Sequence, residues 1–157
     1  MSNMKDAFNK AGYRSEQPEA GQQSTVTAKK IEPDANYAKR AETVISQLKY
    51  SMGRDYQNLT TSKIRNTLTL VSEIYNDVVT EYSQTLSPEL QSRIEYLKVR
   101  LVYECGREER TVKPFVERAG LLAMIDGIGD SRDKFIKFAR YMEALVAYHR
   151  FYGGKEY

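Results

Sequence analysis

The feature that most constrains the fold is the spacing of apolar residues, which follows the period of an α-helix from residue 34 onward. No stretch shows the strict apolar–polar alternation that is typical of a β-strand. The clearest helical stripe has spacings of four, three, four, three and four residues, and consists of Ile64, Leu68, Val71, Tyr75, Val78 and Tyr82. The sequence therefore predicts an all-α fold, a compact antiparallel bundle of about five helices joined by short loops.

Capping residues and glycines divide this region into five predicted helices. Thr61 or Ser62 is expected to cap the second helix, and Ser87 followed by Pro88 begins the third. Asp130 is the expected N-cap of the last helix. Glycines are expected to end most of these helices, Gly106 among them. The predicted helices cover residues 36–52, 61–82, 87–105, 114–126 and 130–152.

The first 33 residues differ from the rest in composition. They are rich in Gln, Ser, Thr, Glu and Ala, and Phe8 and Tyr13 are their only aromatic residues. Such a stretch buries too little apolar surface to offset the entropy lost on ordering. We therefore expect a flexible, disordered polar tail over residues 1–33 and a single helical-bundle domain over residues 34–157.

Composition is that of an ordinary soluble protein. The 157 residues are enough for one domain, and 24 basic against 21 acidic side chains leave a net charge of only +3. Nucleic-acid binding would therefore depend on how the cations are arranged. The lone cysteine, Cys105, excludes an intramolecular disulfide and fits a reducing compartment. Neither a secretory signal nor a run near the ~20 apolar residues of a membrane span is evident, so we expect a cytoplasmic protein.

The sequence contains few residues that could carry out enzymatic chemistry. His149 is the only histidine, and it shares a predicted helix face with apolar residues, which favours a partly buried packing role. Cys105 lies on the predicted core face of the third helix, where a thiol is inert. The glycines of segment 127–129 lack the third glycine and the preceding strand of a dinucleotide-binding motif. We therefore expect no catalytic residue, no metal site and no cofactor.

A stripe of arginines and tyrosines lies beside the apolar face of the third predicted helix. Guanidinium groups suit bidentate phosphate binding, and tyrosines between them can stack on bases or hydrogen-bond to RNA. Equally, these residues could be amphipathic neighbours of the core that pair with Glu95, Glu104 and Glu108. Both interpretations remain open from the residues alone. The stripe consists of Arg93, Tyr96, Arg100, Tyr103 and Arg107, and Arg110 and Lys113 follow it.

The last predicted helix is apolar on two sides. One side is the expected core face, and the other carries aromatic residues together with Lys137 and Arg140. Such a helix is either central in its own bundle or covered by a partner. The two basic residues favour a partner, and the candidate interface residues are Tyr141, Tyr148 and Phe151.

Three segments together resemble a known family. They are 59–65 (LTTSKIR), 96–108 (YLKVRLVYECGRE) and 138–155 (FARYMEALVAYHRFYGGK), in that order. The combination is similar to the small subunits of type III-A CRISPR effector (Csm) complexes, and the resemblance extends from about residue 36 to the C-terminus. It implies an all-helical, non-catalytic protein of antiviral defence that stacks in copies along the complex. It also implies contacts with the backbone subunits and with guide RNA paired to target RNA.

The same resemblance implies RNA contacts at basic positions within these segments or directly beside them. Arg93 of the arginine–tyrosine stripe is added to them as a further RNA-binding candidate. A structural adaptor whose basic stripe binds an acidic protein partner is the alternative function. The RNA-binding candidates carried by the resemblance are Lys63, Arg65, Arg100, Arg107, Lys137 and Arg140.

Overall fold

The computed structural model describes residues 36–157, which form six α-helices and one short 3-10 helix. The predicted tail, residues 1–33, lies outside the described residues. The all-α prediction is confirmed for the described part of the chain. The elements are α1 (Tyr37–Met52), the 3-10 helix (Gly53–Asn58), α2 (Thr61–Thr80), α3 (Pro88–Arg107), α4 (Val112–Ala119), α5 (Leu121–Ile128) and α6 (Arg132–Phe151).

The predicted fourth helix is in fact two helices, α4 and α5, which meet at Gly120. Gly120 has φ 68° and ψ 30°, a left-handed conformation that glycine adopts without steric cost. Its backbone N–H donates to Glu117 O at 3.1 Å and ends α4. The prediction of one continuous helix over residues 114–126 was therefore wrong.

Three predicted helix boundaries also differ from the structure. Ser131, and not Asp130, caps α6, since its Oγ accepts a hydrogen bond from Lys134 N at 3.3 Å. Asp130 instead uses its carbonyl to accept from Leu86 N at 2.7 Å, which joins the two loops that precede α3 and α6. Gly106 lies inside α3, which continues to Arg107. Segment 61–82 was predicted two residues too long, and its last residue, Tyr82, is fully exposed.

The predicted start of α3 is confirmed. Ser87 Oγ accepts from Leu90 N at 3.3 Å, and Pro88 occupies the first turn. The core face predicted for this helix is buried throughout. Its members are Leu90, Ile94, Leu97, Leu101 and Cys105.

The last helix, α6, is central in the described bundle and packs against α1, α2 and α5. This position explains why it is apolar on two sides. Tyr141 is only 1% exposed, its hydroxyl donates to Ala119 O at 3.0 Å, and the Arg40 guanidinium lies 5.0 Å from the centre of its ring. Tyr141 is therefore part of the core of this chain, and its assignment to an exposed partner interface was wrong.

The segment after α6 closes the bundle at the start of α2. Lys155 O accepts from Thr61 N at 2.7 Å, and Glu156 O accepts from Ser62 N at 3.0 Å. These two carbonyls satisfy backbone donors that a helix N-terminus otherwise leaves without a partner. Neither Thr61 nor Ser62 is the N-cap of α2, which is Thr60 and makes no side-chain cap hydrogen bond.

Candidate RNA-binding surface

The arginines and tyrosines predicted on α3 lie along one partly exposed stripe of that helix. Tyr96 and Tyr103 are exposed, and Arg100 and Arg107 have about half of their side chains exposed, at 43% and 54%. The Arg100 guanidinium lies 5.6 Å from the centre of the Tyr103 ring, within cation–π range. The stripe thus offers charged donors and flat apolar surfaces side by side.

Val99 extends this surface and was missed in the sequence. It is 61% exposed. The available signal was its spacing, because Val99 follows Tyr96 by three residues and precedes Tyr103 by four, which places all three on one helix face. The α3 surface is therefore partly apolar as well as basic.

The carboxylate of Glu104 connects two of the candidate arginines. Its Oε1 lies 3.7 Å from the Arg100 guanidinium and its Oε2 lies 3.2 Å from that of Arg107. Pairing of these arginines with Glu104 is what the second of the two open interpretations, that of amphipathic neighbours of the core, described. Arg93, the first member of the stripe, makes its ion pair with Asp77 of α2 and so joins the two helices.

Lys63 and Arg65 are both engaged by acidic side chains. Lys63 Nζ donates to Glu108 Oε2 at 3.0 Å, and this hydrogen bond is the main reason why the pKa of Glu108 is lowered. Arg65 lies 3.5 Å from Glu156 Oε1. The backbone N–H groups of Thr61 and Ser62 donate to the C-terminal segment, so these donors at the start of α2 are not open to a phosphate. Lys63 is brought to the end of α3, since Glu108 directly follows Arg107.

Lys137 and Arg140 lie on α6. Lys137 pairs with Asp133 one turn earlier on the same helix, at 2.9 Å. Arg140 is exposed and has no ion pair among residues 36–157. The ion pairs of α6 and of α3 are separate, so the described contacts do not join these two cations to Arg100 and Arg107.

Aromatic side chains cluster at the C-terminal end of α6. The rings of Tyr148, Phe151 and Tyr152 have centroids 5.2 to 6.4 Å apart, and Tyr152 OH donates to Glu42 Oε1 at 2.7 Å. Tyr148 is half-buried against the core, whereas Phe151 is 77% exposed. Of the three predicted interface residues, Tyr148 and Phe151 are therefore the two that reach the surface.

His149 is a structural residue with both ring nitrogens in contact. Its Nε2 lies 2.6 Å from Leu59 O, and because a carbonyl only accepts, Nε2 carries the proton. Its Nδ1 lies 3.3 Å from Thr61 Oγ1. Burial lowers the pKa of His149, which favours the neutral ring. The side chain is fully buried, more deeply than the predicted packing role required.

The remaining candidates for chemistry are also structural. Cys105 is buried, and burial raises the pKa of its thiol, which disfavours the reactive thiolate. Within residues 36–157, no three His, Cys, Asp or Glu side chains are grouped so as to hold a metal ion. No helix among these residues has the length and apolar character needed to cross a membrane.

These features define a small all-α protein with a basic and aromatic helix surface, and sequence comparisons define its family. The family model Csm2 Type III-A matches residues 36–155. A protein of Streptococcus thermophilus, described as CRISPR system Cms protein Csm2, is 42% identical over 123 residues, which are 78% of the chain and 96% of the relative. A protein of Mycobacterium tuberculosis (strain CDC 1551 / Oshkosh) with the same description is 40% identical over 121 residues, 77% of the chain and 94% of the relative.

A third relative with the same description, from Enterococcus italicus, is 36% identical over 125 residues, 76% of the chain and 89% of the relative. The chain therefore belongs to the Csm2 family of type III-A CRISPR systems. The resemblance to the small subunits of type III-A effector complexes, first seen in three short segments, is confirmed.

Proposed function

We propose that this Csm2 family member is a non-catalytic small subunit of a type III-A CRISPR ribonucleoprotein of antiviral defence, located in the cytoplasm. Copies of the chain stack along the complex, contact its backbone subunits, and hold guide RNA and target RNA through basic helix surfaces. The observation that carries the RNA-holding role is the α3 stripe, in which the Arg100 guanidinium lies beside the exposed ring of Tyr103 and Glu104 pairs with both Arg100 and Arg107.

The stripe suits the RNA backbone better than it suits a particular base sequence. Arginine offers five N–H donors in a rigid fork that matches phosphate, and the donors not used by Glu104 remain for an external ligand. Tyrosine rings stack on any base and donate to phosphate or 2′-hydroxyl oxygens. Lys63, placed at the end of α3 by Glu108, continues the same line of positive charge.

The aromatic cluster at the end of α6 is the proposed contact with neighbouring protein subunits. Phe151 projects from the domain, and exposed aromatic side chains are frequent anchors in protein interfaces. Lys137 and Arg140 lie on the same helix as this cluster, and no hydrogen bond or ion pair among residues 36–157 joins them to the α3 stripe. Their proposed role is a second, smaller contribution to RNA or partner binding.

A titration of the full-length chain with RNA tests the proposal. A guide–target RNA duplex carrying a fluorophore would be titrated at several salt concentrations from ~50 to ~200 mM, with two unrelated sequences. We expect weak binding that falls steeply with salt and is equal for both sequences. Replacing Arg100 and Arg107 with Gln should lower the affinity and reduce the salt slope by about two, one for each lost phosphate contact.

A charge-matched variant serves as the control. Arg118 and Lys134 are exposed, make no ion pair among residues 36–157, and lie outside the stripe. Their double Gln variant loses the same charge, and we expect it to bind nearly as tightly as the unmodified chain. Equal losses in the two double variants would show that only total charge matters and would contradict an RNA site on α3.

The structural adaptor is retained as a second candidate because Val99 is exposed on the same helix face as Tyr96 and Tyr103. Exposed apolar side chains on one helix face fit a protein partner. If the adaptor function holds, the Arg100 and Arg107 double variant should lose its place in the assembled complex while its RNA affinity is unchanged.

A further inference from the structure

Glu104 is an acidic residue where the basic stripe of α3 meets the core. It is only 7% exposed, whereas the exposed face of the same helix carries the candidate RNA-binding arginines. Burying a carboxylate costs free energy, and a buried ion pair is often no more stable than apolar side chains of similar size. A negative charge next to a phosphate-binding site also weakens phosphate binding. Stability and simple electrostatics therefore both leave this residue unexplained.

The geometry around Glu104 indicates what it does. One carboxylate oxygen pairs with the guanidinium group of Arg100, four residues earlier. The other oxygen pairs with that of Arg107, three residues later. A cation placed four residues before an acid is the less favourable order for helix stability, so the pair with Arg100 is not explained as helix support. The Arg100 guanidinium also lies 5.6 Å from the centre of the Tyr103 ring, within cation–π range.

We propose that Glu104 is a positioning residue for RNA binding, which holds Arg100 and Arg107 in fixed orientations with donors directed outward. This inference rests on the proposed function. Arginine has a long side chain that loses rotamer freedom when it binds phosphate, and a side chain that is already ordered loses less. One buried carboxylate thereby prepares two guanidinium groups, and its effect on RNA affinity is opposite to that of its charge.

The test is the sign of the effect when Glu104 is neutralised. Glu104→Gln raises the net charge by one, so simple electrostatics predicts tighter binding of the guide–target RNA duplex. Positioning predicts weaker binding, by about threefold or more, because both guanidinium groups become free to move. Glu95→Gln is the matched control, since Glu95 is an exposed acid of the same helix. We expect this control to bind the duplex equally well or more tightly.

The positioning role and the proposed function can be tested separately by making Glu104→Gln in two chains, with and without the two arginines. In a chain that already carries Gln at positions 100 and 107, Glu104→Gln should no longer weaken binding. If Arg100 and Arg107 prove to matter for RNA but Glu104→Gln tightens binding as Glu95→Gln does, the positioning role is overturned and the proposed function stands. If the two arginines have no effect on RNA binding, both the positioning role of Glu104 and the proposed function are overturned.

A measurement on the unmodified chain does not depend on whether the variant folds. Nuclear magnetic relaxation of the arginine Nε–H groups should show Arg100 and Arg107 more ordered than Arg118, which is exposed and has no ion pair among residues 36–157. Side chains of Arg100 and Arg107 as mobile as that of Arg118 would overturn the inference.

Discussion

Gly154 lies so close to the imidazole of His149 that no larger residue fits in its place. A Cβ built on Gly154 would lie 2.5 Å from Nε2 of His149 and nearer still to two other ring atoms. The backbone N–H of Gly154 also donates to His149 O at 2.8 Å. The ring in turn contacts Leu59 and Thr61, so the glycine fixes the C-terminal segment across the start of α2.

We expect Gly154→Ala to lower the free energy of unfolding by about 1–3 kcal/mol, the usual cost of overfilling a packed site. Thermal or urea unfolding of the full-length chain measures it. Gly127→Ala is the control, because Gly127 lies within α5 and an added Cβ meets nothing within 4 Å. This control should be as stable as the unmodified chain or more so. Equal stabilities for the two variants would contradict the packing described for His149.

The buried imidazole of His149 should make stability depend on pH. Burial holds its pKa below the ordinary value of 6.5, so below pH 6.5 the unfolded chain takes up a proton that the folded chain does not. With respect to His149, the free energy of unfolding has its full value above pH 6.5. It declines as the pH falls below 6.5, by up to about 1.4 kcal/mol per pH unit. Glu108, whose pKa lies below 4.5, titrates in a lower range.

Unfolding measured between pH 8 and pH 5.5 tests this sign. His149→Gln keeps a donor that can reach Leu59 O but has no group that titrates there. We expect this variant to be less stable at pH 8 and to lose less stability as the pH falls. Equal responses of the two proteins to pH would show that His149 is not held as a neutral ring in the folded chain.

Tyr141 and Phe151 should respond in opposite ways to replacement with Ala. Tyr141 fills the core and donates to Ala119 O, so its loss should cost about 3–5 kcal/mol, as for other large aromatic side chains. Phe151 is largely exposed, and its loss should leave the melting temperature nearly unchanged while reducing incorporation into the assembled complex. Melting curves and co-purification with the other subunits measure the two effects. Full incorporation of Phe151→Ala would remove this residue from the proposed interface.

The helical class and most core positions could be predicted from the sequence because apolar spacing is a local property. The start of α3 at Ser87 and Pro88 is also local, and it was correct. The interruption at Gly120 was missed because a glycine inside an apolar stretch is compatible with a continuous helix. Only the backbone conformation there separates α4 from α5.

Relationships between distant segments could not be read from spacing. The carbonyls of residues 155 and 156 cap α2, although they lie more than 90 positions later in the chain. No local sequence pattern near Thr61 predicts these hydrogen bonds. Tyr141 was assigned to a surface for the same reason, because the helix wheel does not show that α6 lies between α1, α2 and α5. The pairing of Glu104 with Arg100 and Arg107 could be named as one of two open interpretations, because its members are three and four residues apart on one helix.

We propose that the α3 stripe faces the RNA of a type III-A complex. The most direct measurement is an electron cryomicroscopy reconstruction of the complex assembled with this chain, guide RNA and target RNA. We expect guanidinium nitrogens of Arg100 and Arg107 to lie about 3 Å from backbone phosphate oxygens, with Glu104 still between them. A complex in which α3 is covered by protein, or faces solvent away from both RNA strands, would contradict it.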